Sequence, residues 1–223
     1  MIRIRIDDFP ICIPGTDPAV AKRNLRAMFR VLSASPVPYI FGAIPYCCDD
    51  EWMSFVKDNM AANGALCMHG FTHLHDRWSG YSLTFQDGGE FAGMSVTDCA
   101  NAYDSGADRL RHSANFDQSH FIAPFNNYTQ ALVDALNMRG VRYLHTCDKE
   151  WNNYGYAKLD YGAITPVIGR LYKDYHFARK IIQWLDHGGK TEWVTLHWHY
   201  EFRHFGDGWL HDLETLCRRC VDA

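Results

Sequence analysis

The chain has 223 residues, 47% of them hydrophobic and 22% charged, a globular balance that suits one large domain or at most two small ones. Its 22 Lys and Arg stand against 26 Asp and Glu, and the resulting formal charge of −4 excludes a basic nucleic-acid binder by bulk electrostatics. No apolar run approaches the roughly 18 residues a membrane span needs, so the unusual counts are the 12 His and 8 Cys, residue types of metal sites.

In chain order, residues 2–6 alternate apolar and basic side chains like a strand. A helix is predicted over 17–33, with Asp17 as N-cap and Pro18 in its first turn. Residues 38–44 read as a buried strand, and a helix from Asp49 or Asp50 runs to about Asn63 with Gly64 just past its end. A strand over 65–68 precedes a polar, aromatic and Gly-rich stretch over 70–93. Next come a helix at 96–112, a strand at 120–123, a helix at 128–138 stopped by Gly140, and strands at 141–146 and 163–168. A helix over 174–186 ends at Gly188-Gly189, a strand covers 192–197, and a loop leads to a terminal helix from Trp209 to Val221. Strands alternating with helices predict an α/β fold with parallel strands, a distorted or incomplete (β/α)7 barrel. No repeat or linker divides residues 1–223, so a single domain is expected. Neither GxGxxG nor GxxxxGK[ST] follows a strand, which disfavours dinucleotide and P-loop folds.

No charged start, apolar stretch and small-residue cleavage site precede the first strand, and the expectation is a cytoplasmic chain whose cysteines are free, packed thiols. Cys217 and Cys220 form a lone CxxC whose i,i+3 spacing puts both on one face of the terminal helix. A zinc finger or ribbon would need a second such pair.

In a parallel barrel the chemistry sits where strands end, and polar residues follow five predicted strands here. Asp7-Asp8-Phe9-Pro10 follows the first, His69 to His75 the third, and Pro124-Phe125-Asn126-Asn127 the fourth. The strand over 141–146 delivers His145, Asp148 and Glu150, and the last delivers His197-Trp198-His199. Two adjacent carboxylates repel at a buried strand end unless a cation or His neutralises one. Side chains alternate along a strand, so only a turn at Asp8 lets both face one site, one for metal and one as base. His69 and His73 stand i,i+4, which places both imidazoles on one side of a helical or turn-like segment and suits two ligands of one divalent ion. With a strand-end Asp they make a two-His-one-carboxylate set that keeps positions open for water and substrate. An HExxH protease motif is excluded, because position 70 is Gly. Of His197 and His199, strand alternation favours His197 as the inward one and leaves His199 to pack in a loop. The histidines at 112, 120, 176, 187, 204 and 211 are expected to be structural or exposed.

These motifs, in this order, resemble the polysaccharide deacetylase family (NodB homology domain, carbohydrate esterase family 4). Asp7-Asp8 matches its first motif, His69-x-x-x-His73 its second, Pro124-Phe125 its third, Glu150-Trp151 with Asp148 nearby its fourth, and Leu196-His197 its fifth. The resemblance implies a distorted (β/α)7 barrel and a metal-dependent deacetylase. By carry-over Asp8, His69 and His73 bind the metal, Zn2+ first with Mn, Fe or Co as alternatives, Asp7 is the base and His197 the acid. The family's third motif normally carries an Arg that contacts the base. Ile122 or Ala123 occupies that region here, and Arg3 or Arg5 is the candidate replacement. Asp148 and Glu150 are the candidates for orienting His197.

The implied substrate is an N-acetylated amino sugar or a conjugate carrying one. Pro124, Phe125 (through its backbone N–H), Asn127 and Trp78 are the candidates for substrate and oxyanion contacts. Trp78 lies in the stretch from Asp76 to Tyr81, whose aromatic faces and polar groups suit a sugar. The competing readings are a non-catalytic glycan- or metabolite-binding barrel and another metal-dependent ester or phosphate hydrolase.

Overall fold

The computed structural model describes residues 1–10, 17–73, 89–112, 115–147, 159–169 and 177–223. Seven parallel strands curl into a half-barrel with helices between them. They are β1 (Arg3–Phe9), β2 (Tyr39–Ala43), β3 (Gly64–His69), β4 (Phe116–Ile122), β5 (Tyr143–Cys147), β6 (Thr165–Gly169) and β7 (Trp193–His197). Their order across the sheet is β6-β5-β4-β3-β2-β1-β7, so β1 lies between β2 and β7 and brings its Asp pair beside both. The helices are α1 (Pro18–Ser33), α2 (Asp50–Asn59), α3 (Val96–Leu110), α4 (Gln130–Met138), α5 (Ala178–Asp186), α6 (Trp198–Phe205) and α7 (Trp209–Asp222). No helix among the described residues is long and apolar enough to cross a membrane.

Alternation along each strand divides the side chains between two faces. Ile4 and Ile6 of β1, Leu66 and Met68 of β3, and Val194 and Leu196 of β7 join the core against the helices. Cys67, Ile122 and Trp193 point the other way and pack together inside the curl with Ile40. Arg5 and Asp7, two residues apart on β1, share that inner face and are both buried.

The expected elements are present with shifted ends. Asp17 caps α1 as predicted, its side chain accepting the Ala19 N–H. In contrast, α2 stops at Asn59 and Gly64 opens β3. Gly64 is needed there because a Cβ would run into the Tyr39 ring on the neighbouring strand. β4 starts at Phe116, four residues before its predicted start. The predicted final loop is largely helical, since α6 begins directly after β7.

The described cysteines Cys48, Cys67, Cys99, Cys217 and Cys220 are free and buried, the last two on the inner side of α7. Cys47 corrects the expectation of free thiols throughout: it is disulfide-bonded, to a cysteine outside the described side chains. It lies on the turn Pro45–Cys47 after β2.

Candidate active site

β1 continues through Asp7 and Asp8 to Phe9, but its pairing with β2 slips between Ile6 and Phe9. Asp8 sits in the slip with φ 67, a left-handed conformation rare for residues other than Gly. That is the turn both carboxylates need to face one site. The indole N–H of the buried Trp198 donates to the Asp8 carbonyl oxygen at 3.0 Å and holds the strained residue from below.

His69 ends β3, and His73 returns to it through Gly70 (φ 64) and its own left-handed backbone (φ 55). The two rings meet through this turn, with centroids 4.6 Å apart, and not through helical register. Asp8 Oδ1 lies 3.2 Å from His69 Nε2 and 3.3 Å from His73 Nε2. Three donors so placed fit a divalent ion, since ligands about 2.0 Å from a tetrahedral metal stand roughly 3.3 Å apart. With its Nδ1 donating to the Ile122 carbonyl at 3.3 Å, a neutral His69 ring turns its Nε2 lone pair toward Asp8, although burial is outweighed by Asp7 and Asp8, which raise this imidazole above its usual value. Asp8, His69 and His73 also form the one such cluster among the described residues.

Asp7 is held differently. Arg5 grips its carboxylate in a bidentate fork, Nε to Oδ1 at 2.8 Å and Nη2 to Oδ2 at 2.5 Å, with both residues about 1% exposed. Burial alone pushes Asp7 upward, but Arg5, His69 and His197 together hold it below the usual carboxylate range. Burial is likewise overridden at Asp8, where the surrounding imidazoles hold the carboxyl well down. His73 goes the other way: burial, reinforced by His69, lowers it to about 4, so its ring is neutral and able to ligate at neutral pH.

His197 closes the site from β7, its Nε2 4.0 Å from Asp7 Oδ2 and 3.9 Å from Asp8 Oδ2. His199 corrects the prediction that it packs in a loop. Strand alternation ends at His197, and the first turn of α6 brings His199 Nδ1 to 3.8 Å from Asp8 Oδ2, on a side chain 10% exposed. Four imidazoles therefore surround Asp8, two toward each oxygen.

The third strand-end segment also reaches the site. Phe125 and Asn126 are both left-handed (φ 54 each), and the Phe125 ring packs 4.4 Å from that of His73. Pro124 is buried against Gly70, and Asn127 is 5% exposed with its N–H on the Pro124 carbonyl. No acceptor for the Phe125 N–H is found among the described residues. Trp78, Asp148 and Glu150 lie outside the described residues.

Sequence reasoning weighed Arg5 only beside Arg3, and it missed Glu90 and the Trp198 contact. Glu90 accepts the backbone N–H groups of Phe71, Thr72 and His73. Nothing in the spacing signals it, because the partners are backbone atoms 17 to 19 residues away. The His145 predicted at a strand end is fully buried inside the curl, where its Nε2 meets His120 Nδ1 at 2.7 Å. His120 is thus a half-buried structural residue, as one of the two expected alternatives had it.

No protein-family model matches the chain, and no curated protein matches it by sequence. Solved structures do. A family 4 carbohydrate esterase from Streptomyces lividans, in complex with acetate, is 10% identical over 99% of this chain and 88% of its own, with a TM-score of 0.59. A family 4 acetyl xylan esterase from Clostridium thermocellum, in complex with a cobalt ion, is 12% identical over 98% and 84%, with a TM-score of 0.58. A CE4 family pseudoenzyme from Bacillus anthracis is 10% identical over 100% of this chain and 60% of its own, with a TM-score of 0.57. The half-barrel that brings Asp8, His69 and His73 together is thus the fold of the family 4 carbohydrate esterases, pseudoenzyme included.

Proposed function

We propose that the chain is a divergent family 4 carbohydrate esterase that removes an acetyl group from an N-acetylated amino sugar or sugar conjugate. The observation that carries this reading is the Asp8, His69 and His73 cluster standing beside an Arg-held Asp7, with His197 across from both carboxylates. Asp8, His69 and His73 would hold a divalent cation, zinc as the first choice, which would supply Lewis acidity toward an acyl carbonyl and water. Asp7, kept ionised and fixed in direction by Arg5, accepts the proton of the attacking water. His197 gives a proton to the leaving amine nitrogen from the opposite side of the carboxylate pair. The Phe125 N–H, with no protein acceptor found among the described residues, donates to the oxygen that becomes negative. Arg5 takes the place of the arginine that the family carries in its third motif.

One observation favours a second reading, a barrel that binds a glycan without cleaving it: the same fold serves a pseudoenzyme. Metal analysis of the purified chain, followed by acetate release from a panel of acetylated sugars, separates the two. The hydrolase reading expects about one zinc per chain and acetate release. Asp7→Asn keeps the metal but lowers the rate by about 10²-fold or more, whereas His69→Ala loses the metal. Acetate release unchanged in both variants sinks the hydrolase reading, and a metal-free chain that still binds a glycan establishes the alternative.

A further inference from the structure

His73 differs from its two partners in how it is held. Asp8 belongs to β1 and is tied by Trp198, and His69 ends β3 with its ring anchored on the Ile122 carbonyl. His73 follows four residues after the strand ends, on a turn containing two left-handed residues, one of them His73 itself. Such backbone persists only when its surroundings fix it. The Tyr46 N–H holds the Phe71 carbonyl at 2.9 Å, and one carboxylate takes the N–H side of the turn. Glu90 Oε1 accepts the N–H of Phe71 and of Thr72, both at 2.8 Å, and Oε2 accepts the N–H of His73 at 3.0 Å.

We propose that Glu90 is the positioning residue of the candidate metal site, setting the backbone from Phe71 to His73 so that the His73 imidazole reaches the ion held by Asp8 and His69. This rests on the metal reading of that cluster and extends it to a residue that touches neither ion nor substrate. Three N–H groups converging on one side chain need two acceptor oxygens, which a carboxylate offers and an amide does not. Gly70 makes the seat possible: a Cβ there would run into Glu90 Oε2 on one side and Pro124 Cγ on the other. The Phe125 ring packs 4.4 Å from the His73 ring, and with the backbone clamped the His73 Nε2 stands 3.3 Å from Asp8 Oδ1.

The test is zinc affinity, measured on the purified chain by competition with a chromophoric chelator, with thermal unfolding of the metal-free chain in parallel. Glu90→Ala is expected to weaken zinc binding by about 10–100-fold, the range for residues that orient metal ligands, while the metal-free chain still unfolds cooperatively near the wild-type temperature. Glu90→Gln, with one oxygen left, falls between. In a His73→Ala background Glu90→Ala causes little further loss, because its effect runs through that histidine. Zinc affinity within about twofold of wild type in Glu90→Ala, or an undiminished loss in the His73→Ala background, overturns the positioning role alone. If both Glu90 variants fail to fold without metal, Glu90 is a folding residue and the inference is wrong. A wild-type chain that takes up no zinc removes the metal reading and this inference with it.

Discussion

Asp7 and Asp8 are neighbours in sequence with different partners, because a single left-handed residue re-aims the second carboxylate toward His69 and His73 while the first stays in the fork of Arg5. The fork is buried, so each charge depends on the other. Removing one partner leaves an uncompensated charge in the barrel interior, which costs about 3–5 kcal/mol. Arg5→Met is therefore expected to destabilise the chain by about that amount in urea unfolding, and adding Asp7→Asn to recover most of it. A loss that persists undiminished in the double variant would mean that Arg5 acts through its packing or its contact with the Thr146 carbonyl instead. The need for a turn at Asp8 was legible from side-chain alternation, since two adjacent carboxylates on an unbroken strand cannot share a site. The choice of Arg5 over Arg3 was not, although the same alternation puts Arg5 on the Asp7 face two residues away. Both arginines sit at that parity, and only the depth of Arg5 in the curl decides between them.

At the scale of elements, α6 is the one the sequence hid. It starts without a side-chain cap directly after β7, and His197-Trp198-His199 extends the alternating pattern of the strand it leaves. Where a cap was written in the sequence, as at Asp17-Pro18, the helix start was readable, whereas Gly64 mimicked a helix stop for a reason that lies on the neighbouring strand. Two contacts tie α6 to its surroundings. The Trp198 indole N–H on the Asp8 carbonyl predicts that Trp198→Phe costs about 1–3 kcal/mol through an orphaned buried acceptor, read by denaturant unfolding. Glu201, 1% exposed, receives the Ala178 N–H at the start of α5, and burial pushes its carboxyl up to about 7. A folded-state pKa raised above the unfolded value of 4.5 favours the folded chain fully below pH 4.5, and that contribution is lost as pH rises to 7. Glu201→Gln removes this dependence, so its stability relative to wild type should improve by up to about 3 kcal/mol between pH 4.5 and 7 and stay level above. Parallel unfolding curves for the two chains across that window would show that Glu201 is ionised in the fold throughout.

Over the whole molecule, alternation on seven parallel strands makes two interiors of different character. The face toward the helices carries the main apolar core, while inside the curl a small apolar cluster shares the space with Arg5, His145, His120 and the carboxylates beneath the site. The cysteines follow this division as small hydrophobes would: Cys67 packs inside the curl, Cys99, Cys217 and Cys220 pack between helices and sheet, and Cys48 is buried after β2. Burial raises all five thiols, Cys99 and Cys217 to about 11 and Cys220 to about 12, and Cys48 and Cys67 further still. A thiol so raised holds almost no thiolate at pH 8, and thiolate is the reactive form. Labelling at pH 8 with a soluble disulfide reagent, read peptide by peptide, should therefore leave these five unmodified in the native chain and modify them together once it unfolds. Cys47 should stay unlabelled even in denaturant until a reductant opens its disulfide. Because an ion that binds only the folded chain lowers the unfolded population by a factor of one plus the ratio of free ion to Kd, added zinc should slow the labelling of all five by a common factor, although none of them is among its candidate ligands. A factor that differs from one thiol to another would instead mean that α7, which carries Cys217 and Cys220, opens independently of the strands that hold the histidines.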